Sequence, residues 1–185
     1  MAGPARTYLL IDGENLDATL GGSILHRKPA PDERPRWDRL LSFVQEKWGQ
    51  EVTGLFFMAA NAEVPHTFVQ ALLAIGYKPV LLSGEPGQKV VDIGIQKTLR
   101  ALAERPGDVV LASHDGDFVP FLQPLTGARR TAVAAFKEFV SSGYLPLVDA
   151  GLEIIDLERD MGAFNVTLPR VRVIPISEFD PLEFL

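Results

Sequence analysis

Four aspartates stand where they could share a divalent cation. Asp12 closes the run Tyr8-Leu9-Leu10-Ile11, and Asp115 and Asp117 lie in the turn Ser113-His114-Asp115-Gly116-Asp117, straight after the apolar run 109–112. Asp92 falls in the first turn of a stretch with helical spacing, beside the stripe Val91, Ile95, Leu99 and Leu102 that marks its buried face. Two carboxylates about 5 Å apart repel by roughly 3 kcal/mol at an effective dielectric of 20, so four gathered together need a cation. Oxygen-only ligands select a hard ion, Mg2+ or Mn2+, and Mg2+ keeps several waters when few carboxylates hold it. Water held beside a metal makes phosphodiester hydrolysis the chemistry to expect. Taken singly, each aspartate has a structural use, because an Asp opening a helix caps it and Asp-Gly-Asp makes a turn. Turn chemistry does not require three of them at strand ends and a fourth at a helix start.

Other chemistries are excluded by the residues themselves. The chain has no cysteine, which removes disulfides, thiolate metal sites and cysteine nucleophiles. The segment Gly84-Glu85-Pro86-Gly87-Gln88-Lys89 lacks P-loop spacing, and Val90 stands where Ser or Thr would be needed. The turn at Asp115 offers neither the alternating acids nor the distant Glu of an EF-hand. His26, His66 and His114 are too dispersed for a zinc motif, and the first two read as solvated surface residues.

The elements that must position the aspartates follow from the pattern of apolar runs. Residues 8–11, 52–60, 79–82, 109–112, 131–135 and 153–157 are short, apolar and bounded by turn residues, as buried strands are. Helical spacing occupies 37–48, 65–75 and 90–104, with a shorter helix after Asp117. Strands alternating with helices imply an α/β fold with a doubly wound, mainly parallel sheet. Because the strands are apolar nearly throughout, helices should cover both faces, giving a three-layer α/β/α sandwich. Ligands of such sheets bind outside the carboxyl ends of the strands, where the strand order reverses. Asp12, Asp115 and Asp117 all sit at carboxyl ends.

A chain of 185 residues suits one domain, with 46% hydrophobic and 23% charged residues as in ordinary globular proteins. The expected domain covers 1–160, and 161–185 form a C-terminal extension with a strand over 171–176 and the acidic, apolar end SEFDPLEFL. That tail is a candidate surface for a protein partner or a homodimer contact. Residues 21–36, GGSILHRKPAPDERPR, read as a long basic loop. The first residues carry only a four-residue apolar run, too short for a signal-peptide core, and no segment reaches the roughly 20 apolar residues of a membrane span. A cytoplasmic protein with no membrane partner is the expectation. The net charge of −6 argues against a nucleic-acid partner only superficially, since four aspartates in a metal site leave −2 elsewhere.

Three stretches resemble the NYN domain family, a branch of the PIN-like nuclease superfamily. YLLIDGENL is similar to the family's opening strand, with Asp12 and Asn15; KVVDIGIQKTLRAL is similar to its Lys-x-Val-Asp helix start, with Lys89 and Asp92. VVLASHDGDFVPFL is similar to its Ser-Gly-Asp-x-Asp-Phe-x-Pro-Leu element, with Ser113, Asp115, Asp117, Phe118 and Pro120. The stretches run in the family's order from about residue 7 to about 157. His114 is the departure: the family pattern has Gly there, and a side chain could crowd the metal or contact phosphate.

The resemblance implies a PIN-like fold and Mg2+- or Mn2+-dependent hydrolysis of RNA by a metal-activated water, leaving 3′-hydroxyl and 5′-phosphate ends. Asp12 would be the central ligand, Asp115 and Asp117 would complete the inner and outer shells, and Asp92 would bind a second ion or orient the water. Asn15 and Ser113 would support them, by bonding carboxylate or phosphate or by capping the local turn. RNA would be met by Lys89 and His114 and by the basic residues Arg27, Lys28, Arg34 and Arg36, with His26 and Arg39 nearby, although Asp32 and Glu33 could pair within the same loop. Arg129 and Arg130 precede a strand and belong at the far edge.

Two other functions fit parts of the pattern. A phosphatase of the haloacid dehalogenase type also places aspartates at strand ends but needs Asp-x-Asp on the first strand, where this chain has Glu14. A non-catalytic RNA-binding or regulatory module could keep the same metal site, and would bind without cutting.

Overall fold

The apolar runs form six strands of one parallel sheet in the computed structural model, which describes residues 5–61, 63–170 and 173–185. The strands are β1 (Arg6–Asp12), β2 (Glu51–Ala59), β3 (Lys78–Leu82), β4 (Asp108–Ala112), β5 (Thr131–Ala135) and β6 (Glu153–Asp156). Their order is β3-β2-β1-β4-β5-β6. The chain winds outward from β1 in one direction and from β4 in the other, so the order reverses between β1 and β4. There Leu10 is in register with Leu111 and Ile11 with Ala112, and the loops that follow diverge above the sheet.

Alternate residues of β1 face opposite layers, and both layers are filled. Leu9 and Ile11 pack with Phe56 against α2 (Trp37–Trp48) and α3 (His66–Ile75), through Leu40, Val44 and Leu72. Leu10 and Phe57 pack on the other face with Ile95 and Leu99 of α4 (Val90–Ala103), and with Leu122 of α5 (Val119–Leu122) and Leu147 of α6 (Leu145–Asp149). The expected doubly wound α/β/α sandwich is the fold observed. No helix among the described residues is long and apolar enough to cross a membrane.

Two expectations are corrected. The stretch 21–36 is not a simple loop. The segment after Asp12 is a helix, α1 (Gly13–Thr19), which runs on as a wider helical turn, Leu20–Leu25, burying Leu16, Leu20 and Ile24 at a spacing of four. Pro31–Glu33 form a further short turn. The strand expected over 171–176 begins on residues outside those described; 173–175 have no regular structure and Ile176 opens a 3-10 turn. Before it, the chain returns under the first layer, where Leu157, Met161, Ala163 and Leu168 are buried. The end of the chain is exposed at Ile176, Leu182 and Leu185.

Candidate metal centre

Asp12 is the last residue of β1 and the N-cap of α1, accepting a hydrogen bond on Oδ1 from the Asn15 backbone N–H at 3.3 Å. Its Oδ2 accepts from the Ser113 hydroxyl at 2.9 Å, across the gap between β1 and β4. The Ser113 Oγ in turn accepts from the Asp115 N–H at 3.2 Å, so one hydroxyl fixes both the deepest carboxylate and the turn that carries the next one. Asp115 caps the following short helix by accepting from the Asp117 N–H at 2.9 Å, and the Tyr144 hydroxyl donates to its carbonyl at 2.6 Å. Gly116 holds this turn against Ser141; a Cβ at 116 would lie 3.0 Å from Ser141 Cβ and closer still to its hydroxyl.

Asp92, Asp115 and Asp117 each offer a carboxylate oxygen, and the three atoms lie within 4.8 Å of one another. The structure brings Asp12 close but not into this group. It lines the same cavity of about 290 Å3 as Asp92 and Asp115 but lies deeper, at 2% exposure. Burial pushes the Asp12 carboxyl up to about 6, more than the Ser113 and Asn15 hydrogen bonds pull it down, with the charges of Asp92 and Glu14 adding to the rise. Asp92 is raised too, by burial first and then by the charge of Asp115, although Lys89 opposes this from 3.9 Å. Carboxylates held together against their own charge are a donor set that fits a hard divalent cation.

The supporting residues hold the two loops together. The Asn15 side-chain oxygen accepts from the His114 backbone N–H at 2.8 Å and meets His114 Nδ1 at 2.9 Å. The Phe136 N–H donates to His114 Nε2 at 2.9 Å, which fixes the tautomer: the proton is on Nδ1 and points to Asn15. The ring is stacked on Phe136 at 5.6 Å, and burial holds its pKa down at about 4. With both ring nitrogens committed inside the protein, His114 is not placed to contact phosphate or to crowd the carboxylates; it is a neutral strut behind them.

The basic residues of 21–36 are also differently engaged than their sequence suggests. Arg27 pairs with Glu33 at 2.5 Å, Arg34 with Asp17 at 3.3 Å and Arg36 with Asp38 at 3.4 Å. Arg39 binds the carbonyls of Gly162 and Phe164 and the Asn165 side chain, tying down the returning C-terminal segment. Lys28 is exposed, and Lys89 stands at the cavity wall beside Asp92. Arg129 and Arg130 lie at the amino-terminal edge as expected, Arg129 on the carbonyls of Leu102, Arg105 and Gly107 and Arg130 on Asp108.

Sequence reasoning missed Glu14, which lines the cavity and accepts from the Ala59 N–H at 3.4 Å. Its spacing of two from Asp12 was the available signal, read only as the residue that breaks a phosphatase motif. Tyr144, buried against Asp115, carried no local signal.

A family model for the NYN domain matches residues 6–150. No curated protein is similar enough to match. A crystal structure of a protein of unknown function from Vibrio parahaemolyticus is similar at a TM-score of 0.66 and 18% identity, covering 87% of this chain and 99% of that one. At that identity the likeness bears on the fold alone. With the family model spanning most of the chain and the acidic cluster at the reversal of the sheet, the chain belongs to the NYN domain family of PIN-like nucleases.

Proposed function

We propose that the protein is a ribonuclease that hydrolyses RNA phosphodiester bonds with Mg2+ or Mn2+. The observation that carries this reading is the set of three carboxylate oxygens, of Asp92, Asp115 and Asp117, within 4.8 Å, two of whose residues, Asp92 and Asp115, line a cavity beside the end of β1. Asp92, Asp115 and Asp117 would hold the ion, with Asp12 beneath them. A bound ion of this kind neutralises charge on the phosphate and makes water a better nucleophile. Asp12 is held in one orientation by Ser113 and Asn15, and Asp115 by its own turn and Tyr144, so the set is organised before substrate arrives. Lys89 can neutralise a neighbouring phosphate from the cavity wall. The water oxygen bonds to phosphorus as the bond to the 3′-oxygen breaks, leaving a 5′-phosphate and a 3′-hydroxyl. The choice of RNA comes from the family and not from the cavity.

The test is cleavage of single-stranded and of structured RNA with Mg2+ or Mn2+, comparing the protein with Asp12→Asn, Asp92→Asn and Asp117→Asn. Each substitution should lower the rate by at least about a hundredfold, and a chelator should abolish it. Cleavage that survives the chelator, or all three substitutions, would overturn the reading. Metal-dependent binding without cleavage would instead assign a non-catalytic RNA-binding module.

A further inference from the structure

Beside the carboxylate cavity lies a second one of about 290 Å3, and the two share Glu14 and Ala59 on their common wall. Its lining is different in kind. Trp37 and Phe68, both part-exposed, supply aromatic surface over the buried Phe56, which is edge-on to Trp37 at 4.9 Å and to Phe68 at 5.4 Å. Gly13 packs against the Cε1–Cζ edge of the Phe56 ring, where a Cβ would come within 2.6 Å, so this side of the cavity is set by the same turn that carries Asp12. At its polar side stand Arg34, Asp17 and Glu14. The Arg34 Nε is buried and makes no hydrogen bond, being 3.3 Å from Asp17 without the alignment of one.

We propose that this cavity receives an unpaired guanine base of the RNA whose neighbouring phosphate lies over the carboxylates, so that it sets a base preference next to the cut. The inference rests on the ribonuclease reading and adds to it what the enzyme selects. An anion is the wrong occupant, because two carboxylates flank the single guanidinium. A neutral, flat heterocycle suits the aromatic walls, and base stacking on aromatic side chains is tolerant of orientation. The polar groups then discriminate between bases. A guanidinium donates to O6 and N7 of guanine, the commonest specific arginine contact to a base. Carboxylates only accept, and guanine alone offers two adjacent donors, N1–H and the 2-amino group, beside its acceptors. Adenine, cytosine and uracil each satisfy only part of this set. Arg34, expected to track phosphate, is thereby assigned to a base edge.

The experiment has two readouts, one independent of metal and cleavage. Guanosine, adenosine, cytidine and uridine are titrated against the protein in chelator, following Trp37 fluorescence, with Trp37→Phe as the optical control and circular dichroism to verify folding. Cleavage products of a random-sequence single-stranded RNA are mapped in Mn2+. Guanosine should quench Trp37 at about tenfold lower concentration than the other nucleosides, and guanine should be enriched at one fixed position beside the cut. Arg34→Ala and Asp17→Asn, both on the surface rim, should each weaken the guanosine titration several-fold and flatten the enrichment. Cleavage with no base preference and no quenching would overturn the guanine subsite while leaving the ribonuclease reading intact. Guanosine quenching in a protein that neither binds nor cuts RNA with metal would overturn both the ribonuclease reading and the assignment of this cavity to an RNA chain.

Discussion

Burial acts on Asp12 and His114 with opposite sign. An aspartate raised from 3.8 to about 6 in the folded state is costly to ionise there, so its contribution to stability falls as pH rises through that window and is regained as pH falls. A histidine lowered from 6.5 to about 4 behaves in reverse, because the unfolded chain takes up its proton first and stability is lost as pH falls from 6.5 to 4. Each shift corresponds to about 3 kcal/mol, and between pH 4 and 6 the two offset one another. Single substitutions should separate them. In chelator at pH 7, Asp12→Asn should be more stable than the parent by about 2 kcal/mol in urea titrations, and the gain should vanish near pH 4. His114→Gln should be less stable by about 1–3 kcal/mol at pH 7, with the penalty shrinking toward pH 4. A destabilised Asp12→Asn at pH 7 would mean that the carboxylate is not held against its ionisation. Such a stabilisation would accord with the proposed metal site, which would keep a charge where the fold alone would not.

The strands and the larger helices were legible because their signals are local and repeated. A run such as Val109-Val110-Leu111-Ala112 followed by a polar turn has few other uses, and the placing of Asp12 and Asp115 at the carboxyl ends of strands followed from it, while the strand order that makes those ends neighbours did not. The helix after Asp12 was less legible. Leu16, Leu20 and Ile24 carry its spacing, but Gly21 and Gly22 and the prolines beyond suggest a loop, and burial under the sheet layer overrides those propensities. What sequence could not supply were pairings over long separations: Arg39 with 162–165, or the His114 ring with the Phe136 backbone. Arg39 shows what such a pairing does for an element. Its guanidinium holds two carbonyls and one amide oxygen of the returning segment, so Arg39→Ala should cost about 2 kcal/mol and raise hydrogen exchange selectively over 160–168. Unchanged exchange there would mean that the buried Met161, Ala163 and Leu168 hold the segment without it.

At the scale of the molecule, the proposed function raises the question of how a chain of net charge −6 would approach a polyanion. The basic stretch does not supply an answer, since Arg27, Arg34 and Arg36 each face a carboxylate and Arg39 is turned inward. On the proposed function, bound divalent ions would supply most of the attraction, with Lys89 beside them and Lys28 exposed in the same stretch. This predicts a linkage between metal, stability and RNA. Saturating Mn2+ should raise the thermal midpoint by relieving the repulsion among Asp92, Asp115 and Asp117, and about 2–3 kcal/mol is the expected gain when the ion is a hundredfold above its dissociation constant. Asp92→Asn and Asp117→Asn should lose most of that response. RNA should bind weakly or not at all in chelator, and with metal its affinity should fall only gently with monovalent salt, at a logarithmic slope of about −1 to −2, as for one to three phosphate contacts on a single strand. A steep slope in chelator would show that a basic surface carries the binding, and would return the arginines of 21–36 to the role their sequence first suggests.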